Sequence, residues 1–336
     1  MKEKLTIMLV ALMCFGATAE AQNKKMVRPE SLKPGDKIAI LSMASKPNDK
    51  YAKAGMKVLK EWGYTPVLSP NVNAKHGSFA GTPEDRAADM LWALRNPEIK
   101  AIMSTRGGYG SIQQLQQIPL DTLAKYPKWI IGYSDITSVH SAMVNAGVMS
   151  IHAHMCGYLY EQEVNKLFSD NPDAPDSCSL ALRNILAGGV PHYEVAPHKY
   201  NHTGKASGML VGGNLSVFCG MIGSEYDFLK NDNIILFIED VSENTSSINR
   251  MIQQMKILGV LDKVKGIIIG QFTDYTPNSD FKKMEDMLAE ELKGYKIPIA
   301  FNFPVGHVDE NYPMIEGANV TLNVKKSCVT LTFDEK

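Results

Sequence analysis

The sequence predicts a two-domain α/β protein. Apolar, β-prone runs alternate with helical patterns through His140, which is the rhythm of a parallel sheet flanked by helices. A breaker-rich stretch over 170–203 interrupts that rhythm. Beyond it a second alternation begins and closes in a tail, 318–333, patterned as paired strands. At 336 residues, with 44% apolar and 21% charged side chains, the chain can build two cores of ordinary size. The formal net charge of -1 and the lack of a long basic run give no support to a nucleic-acid partner or an anionic membrane surface.

Residues 1–21 read as a leader rather than part of the fold. Lys2 and Lys4 precede an apolar run over 5–17, and Ala19-Glu20-Ala21 has the small-x-small form of a signal-peptidase site. The run is shorter than the roughly 20 residues that cross a bilayer, so an exported, periplasmic mature chain is expected. Bulky Met13 before Cys14 disfavours a lipid anchor at that cysteine. Cys156, Cys178, Cys219 and Cys328 then remain, an even number in an oxidising compartment; disulfides and free thiols are both open.

The first domain is expected over 22–168. Gly35-Asp36 turns into a buried strand, residues 51–62 fit a helix, and Thr65-Pro66-Val67-Leu68 fits a second strand. Thr82 caps the next helix, with Pro83 in its first turn and Ala87, Met90, Leu91 and Leu94 at helical spacing. A strand over 99–104 then runs into Arg106-Gly107-Gly108-Tyr109-Gly110. Paired glycines after a parallel strand let the backbone approach a ligand and offer N–H groups to an anion or oxyanion. The loop lacks the Gly-Lys-Ser/Thr ending of a phosphate loop, and a plain tight turn is the competing reading.

Trp129-Ile130-Ile131-Gly132-Tyr133-Ser134-Asp135 carries the sharpest chemistry. An apolar strand stops at a glycine, a serine follows two residues later, and a helical pattern starts at once, as in a nucleophile elbow. Ser134 is the candidate nucleophile, and the backbone N–H of Asp135 is placed to face an oxyanion. The usual second glycine is replaced, since Asp135 and Ile136 follow, so a helix-capping serine competes on local grounds.

Residues 169–206 are expected as an interdomain connection and 207–336 as the second domain. Gly212-Gly213-Asn214-Leu215 leads into a helix. The strand Ile234-Ile235-Leu236-Phe237-Ile238 ends in Glu239 and Asp240. Ile248, Met251, Ile252 and Met255 form a core-facing helical stripe, and residues 266–270 form another buried strand.

A serine needs a base within hydrogen-bond reach, itself held by a third group. His76, His192, His198 and His202 lie in polar stretches and are expected to be solvated; His140 is expected on the helix after the elbow. His152-Ala153-His154 has a spacing that can chelate zinc on a strand, but no companion ligand motif accompanies it, and no metal is expected. His307 sits in a proline-marked loop after a strand, where α/β domains present catalytic groups. Glu239 or Asp240 can orient it, and local sequence leaves the choice open.

Taken together, Leu32-Lys33-Pro34-Gly35-Asp36, the Arg106 loop, Gly132-Tyr133-Ser134-Asp135, Gly212-Gly213-Asn214-Leu215, Leu236-Phe237-Ile238-Glu239-Asp240 and Gly306-His307 resemble the L,D-carboxypeptidase family of serine peptidases. That family also includes microcin C self-immunity hydrolases, and the shared features span nearly the whole mature chain in order. The resemblance implies a flavodoxin-like parallel-sheet N-terminal domain carrying the elbow and a smaller C-terminal α/β domain. It implies a triad of Ser134, His307 and Glu239, with Gly107 and Asp135 as oxyanion donors and no metal or organic cofactor. Arg106, Gly108, Tyr109 and Asn214 are the candidate substrate-binding residues, with Arg106 placed either to meet a terminal carboxylate or to buttress the glycine loop. The implied reaction removes D-alanine from a peptidoglycan-derived tetrapeptide, in a homodimer. Rival readings are a same-family hydrolase of another peptide or peptide conjugate, a periplasmic peptide-binding protein without turnover, and a zinc amidase centred on His152 and His154.

Overall fold

The computed structural model describes residues 25–166 and 176–334; the expected leader, Cys14 and the breakers at 171–175 lie outside the described residues. Five strands open the chain: β1 (Lys37–Leu41), β2 (Thr65–Leu68), β3 (Ile99–Ser104), β4 (Trp129–Gly132) and β5 (Ser150–His152). They pair in parallel in the order β2-β1-β3-β4-β5, the flavodoxin-like order. β1, β3 and β4 read as near-continuous apolar runs because helices cover both faces of the sheet. The helix Pro83–Arg95 starts as its sequence dictates, with Thr82 and Asp85 exchanging side-chain and backbone hydrogen bonds in a capping box.

The second sheet is built from β6 (His192–Val195), β7 (Gly204–Asn214), β8 (Ile234–Val241), β9 (Gly266–Thr273), β10 (Ile299–Ala300), β12 (Asn319–Val324) and β13 (Val329–Phe333). Its order is β10-β9-β8-β7-β12-β13-β6. β7 to β10 run parallel, and β12, β13 and β6 continue antiparallel. The alternating tail is the β12–β13 hairpin, in register from Val320 opposite Phe333 to Val324 opposite Val329. Ile248, Ile252 and Met255 of the helix Thr245–Ile257 are buried as the stripe requires, and Met251 is half-buried.

Two pairings are finer than the sequence pattern. The stretch expected as a connection holds the helix Ser177–Leu186, capped by Asp176, and the edge strand β6 on β13. A four-residue strand that buries one large side chain, Tyr193, gives too short an alternation to read. The strand β11 (Met314–Glu316) leaves the second domain and adds antiparallel to β5, with Met314 opposite His152. The two domains therefore share a core, in which Ile131 and Ile151 join Phe237, Val305 and Leu331. Among the described residues the four cysteines, Cys156, Cys178, Cys219 and Cys328, are free thiols. Burial pushes Cys156, Cys178 and Cys219 up to about 12, so these three stay protonated and unreactive.

Candidate active site

Ser134 stands directly after β4 at φ 63°, a left-handed conformation that L-residues rarely adopt. Tyr133 before it is extended, and a single 3₁₀ turn, Ser134–Ile136, leads into the helix Thr137–Ala146. The strand therefore reverses within two residues and lifts the hydroxyl out of the sheet. Gly132 is required because Ile136 takes the place of the missing second glycine: a Cβ at 132 would lie 2.9 Å from Ile136 Cγ1. His140 braces the turn from below. Its Nε2 meets the Gly132 carbonyl at 2.9 Å and its Nδ1 meets Ser150 Oγ at 2.8 Å. Since a carbonyl only accepts, Nε2 carries the proton. Complete burial draws the His140 pKa down to about 4, so the ring stays neutral.

His307 reaches the same point from the second domain. Its Nε2 lies 3.0 Å from Ser134 Oγ and its Nδ1 lies 2.8 Å from Glu239 Oε2. The carboxylate accepts from Nδ1–H, which leaves Nε2 as the acceptor for the serine hydroxyl. Burial alone would lower the His307 pKa, but the hydrogen bond and charge of Glu239 outweigh it and the net shift is upward from 6.5. An imidazole so placed can take a proton from the hydroxyl and hold it against a negative partner.

Adjacent strand residues point to opposite faces, and this separates the two carboxylates of β8. Glu239 is fully buried and faces His307. Asp240 turns away, accepting from Asn214 Nδ2 at 3.1 Å and from the Ser216 and Val241 N–H groups at 2.8 Å. Burial, reinforced by the charge of Glu239, raises Asp240 to about 6.

The His307 loop is fixed at both ends. The Gly306 N–H donates to Asn311 Oδ1 at 2.9 Å, and Tyr158 of the first domain donates its hydroxyl to the Asp309 carbonyl at 2.9 Å. Gly306, at φ 129°, passes so close to the carboxylate that a Cβ there would stand 3.0 Å from both Glu239 Cβ and Oε2. The glycine loop closes the other side. A Cβ on Gly107 would lie 2.9 Å from Ser134 Cβ, 3.0 Å from its Oγ and 3.4 Å from the Asp135 nitrogen. The Gly107 and Asp135 backbones thus flank one space beside the hydroxyl. Asp135 is locked by its side chain, which accepts from the Ser111 N–H at 2.8 Å.

A cavity of about 250 Å³ opens onto Ser134 and His307, and its walls include Arg106, Gly107, Gly108, Tyr133 and Met155. Tyr109 and Asn214, also expected to bind substrate, are not among the lining residues. Tyr109 is exposed, with its ring against Phe79 at 5.8 Å. Asn214 caps the helix Leu215–Cys219 and holds Asp240, a structural task. His152 is fully buried against Phe237, and His154 stacks on Tyr158 at 3.3 Å. Among the described residues no group of three His, Cys, Asp or Glu is arranged to hold a metal ion.

Tyr51, Gly157, Tyr158 and Glu161 also line the cavity, and sequence reading missed them. Three of the four sit on the helix Cys156–Lys166, which carries no motif that would have marked them in the sequence.

Residues 38–153 match the family model described as the LD-carboxypeptidase N-terminal domain, and residues 207–322 match the model of the C-terminal domain. The chain is 31% identical over 305 residues to a Synechocystis sp. protein named as a carboxypeptidase, covering 89% of this chain and 95% of that one. It is 28% identical over 276 residues to the murein tetrapeptide carboxypeptidase of Pseudomonas aeruginosa, covering 82% and 89%. It is equally 28% identical, over 338 residues, to the microcin C7 self-immunity protein of Escherichia coli, covering 90% and 92%. Among solved structures, the muramoyltetrapeptide carboxypeptidase of Oxalobacter formigenes aligns with a TM-score of 0.77 at 25% identity over 88% of this chain and 98% of that one.

Proposed function

We propose that this chain, which belongs to the LD-carboxypeptidase family, is a serine hydrolase that releases the terminal D-alanine of a peptidoglycan-derived tetrapeptide. The observation that carries the reading is the continuous line from Ser134 Oγ through His307 to Glu239, at 3.0 and 2.8 Å. His307 takes the Ser134 proton as the oxygen attacks the scissile carbonyl, and Glu239 holds the imidazolium that forms. The Gly107 and Asp135 N–H groups receive the oxyanion. His307 then protonates the leaving amine, D-alanine departs, and water activated by the same histidine hydrolyses the acyl-enzyme. Arg106 takes the free carboxylate of the leaving residue. The murein tetrapeptide carboxypeptidase relative supports the substrate class.

The leader pattern over 1–21 supports a periplasmic site of action, on muropeptides outside the cytoplasm. A homodimer belongs to the same reading, and light scattering of the mature chain measures it. A second reading, a hydrolase of another peptide or peptide conjugate, has the support of the equally similar microcin C7 self-immunity relative. The test is mass spectrometry of a tetrapeptide incubated with the mature chain, with Ser134→Ala and a chelator as controls. Expected is D-alanine release that resists the chelator and falls on the order of 10⁶-fold in Ser134→Ala. Absence of release from folded parent, or release that survives in Ser134→Ala, contradicts the proposal.

A further inference from the structure

Behind the oxyanion pocket lies a buried cation that the proposed mechanism does not use. Arg86, on the helix Pro83–Arg95, is 1% exposed. Its guanidinium is taken up by neutral oxygens. Nη1 donates to the Gly81 carbonyl at 2.7 Å, and Nη2 donates to Gln113 Oε1 at 2.6 Å and to the Gly110 carbonyl at 3.3 Å. Nε has no hydrogen-bond partner among the described residues. The Phe79 ring covers the group at 5.5 Å. A buried cation held by neutral acceptors, with one donor unused, is costly. Tying down carbonyls does not require that cost, because a neutral amide donates as well.

Asp135 supplies the counterpart. Its N–H faces the oxyanion space, yet its own carboxylate is buried at 2% exposure and accepts from the Ser111 N–H at 2.8 Å. A carboxylate on that residue opposes the negative charge that develops on an attacked carbonyl oxygen. Burial raises the Asp135 pKa, and the Ser111 hydrogen bonds and the charge of Arg86 pull it back. In the other direction burial lowers the Arg86 pKa, and Asp135 leads the charges that raise it, ahead of Asp85 and Glu84 of its own helix. Asp85 is occupied in the capping box, and Glu84 is exposed to water, which screens it. The two charges also meet through one peptide group. The Gly110 carbonyl accepts from Arg86, and the Ser111 N–H of the same peptide unit donates to Asp135. The peptide that ends the glycine loop is thus held at its negative end by the cation and at its positive end by the anion.

We infer that Arg86 is a positioning residue that neutralises the Asp135 carboxylate across the 110–111 peptide, so that the Asp135 N–H meets a developing oxyanion without an opposing charge beside it. Arg86 acts through Asp135 and is not among the residues lining the cavity on Ser134. This rests on the functional reading above and adds to it what makes an acid tolerable directly after the nucleophile.

The test compares the parent, Arg86→Gln, Asp135→Asn and the double variant, with thermal unfolding of each. kcat and KM are measured on the tetrapeptide ending in D-alanine, and the rate of Ser134 labelling on a serine-directed acylating probe. Asparagine keeps an oxygen for the Ser111 N–H, so Asp135→Asn removes charge alone. Arg86→Gln should lower kcat and the labelling rate about 10²-fold, the size of one lost oxyanion donor, with KM within about threefold of parent. Asp135→Asn leaves the cation uncompensated and should unfold at a lower temperature than parent. The double variant should regain at least about tenfold in both rates over Arg86→Gln and unfold at a higher temperature than it. A role confined to holding the Gly81 and Gly110 carbonyls gives no such recovery, because the second substitution restores none of those hydrogen bonds. A double variant as slow or as unfolded as Arg86→Gln alone, or an Arg86→Gln with parent rates, overturns the inference and leaves the hydrolase reading intact. If the parent is labelled at Ser134 without cleaving the tetrapeptide, only the substrate assignment fails, and the labelling rates decide the inference. A folded parent that neither cleaves nor labels removes the functional reading, and the inference falls with it.

Discussion

In the proposed mechanism His307 sets the pH dependence of this site. It must be neutral to act as a base there, and its pKa is shifted upward because Glu239 outweighs burial. The activity, measured as kcat/KM, should therefore fall with acidification through a midpoint above 6.5. Glu239→Gln removes the charge that raises the midpoint, so the acid limb should move to lower pH while the rate drops by up to about 10⁴-fold. A limb that stays in place would mean that another group titrates there. In stability the same pair acts with the opposite sense. The protonated His307 bound to Glu239 contributes fully below 6.5, and that contribution is lost as pH rises through the raised value. The choice between Glu239 and Asp240 was not legible from local sequence, because adjacent residues on a strand face opposite ways and only the position of the His307 loop says which face matters.

At the scale of elements, the site depends on three places where backbone takes the space of a side chain. Gly132 makes room for Ile136 beneath the elbow, Gly306 for the Glu239 carboxylate, and Gly107 for Ser134 itself. Gly107→Ala would drive a methyl group to within 2.9 Å of Ser134 Cβ, displacing either the loop or the nucleophile. Loss of one oxyanion donor costs about 10²–10³ in kcat. Gly107→Ala should lose at least that much with its melting temperature close to parent, as kinetics and calorimetry on one preparation would tell. Parent-like kcat would place the oxyanion elsewhere. The elements themselves were largely readable: β2, the Thr82-capped helix and the terminal hairpin follow from periodicity and capping chemistry. β6 and β11 were not, since strands of four and three residues are specified by the partner they dock on rather than by their own pattern.

For the whole molecule, Ser134 and His307 come from different sheets, so the proposed mechanism requires the two domains to keep one relative placement. Several contacts fix it. The Asn214 N–H donates to Thr137 Oγ1 at 3.0 Å, one turn from the nucleophile. Asn145 Nδ2 donates to the Glu225 carbonyl at 3.0 Å, and Tyr226 donates to the Leu115 carbonyl at 2.9 Å. β11 stitches the second domain into the first sheet beside His152. Ser134 and the Gly107 loop were visible in sequence because each lies at the carboxyl end of a parallel strand. Glu161 was not, since its helix carries no motif and its place at the cavity follows only from how residues 105 and 309 anchor that helix.

The most direct measurement is intact-mass and peptide mapping of the protein after brief exposure to a serine-directed acylating probe, for the parent and for His307→Ala. If His307 activates the hydroxyl across the domain junction as proposed, the parent should gain one acyl group on the peptide carrying Ser134, and His307→Ala should label at least about 10³-fold more slowly while folded. Equal labelling of both proteins, or an adduct on any residue other than Ser134, would contradict a nucleophile and base assembled from the two domains.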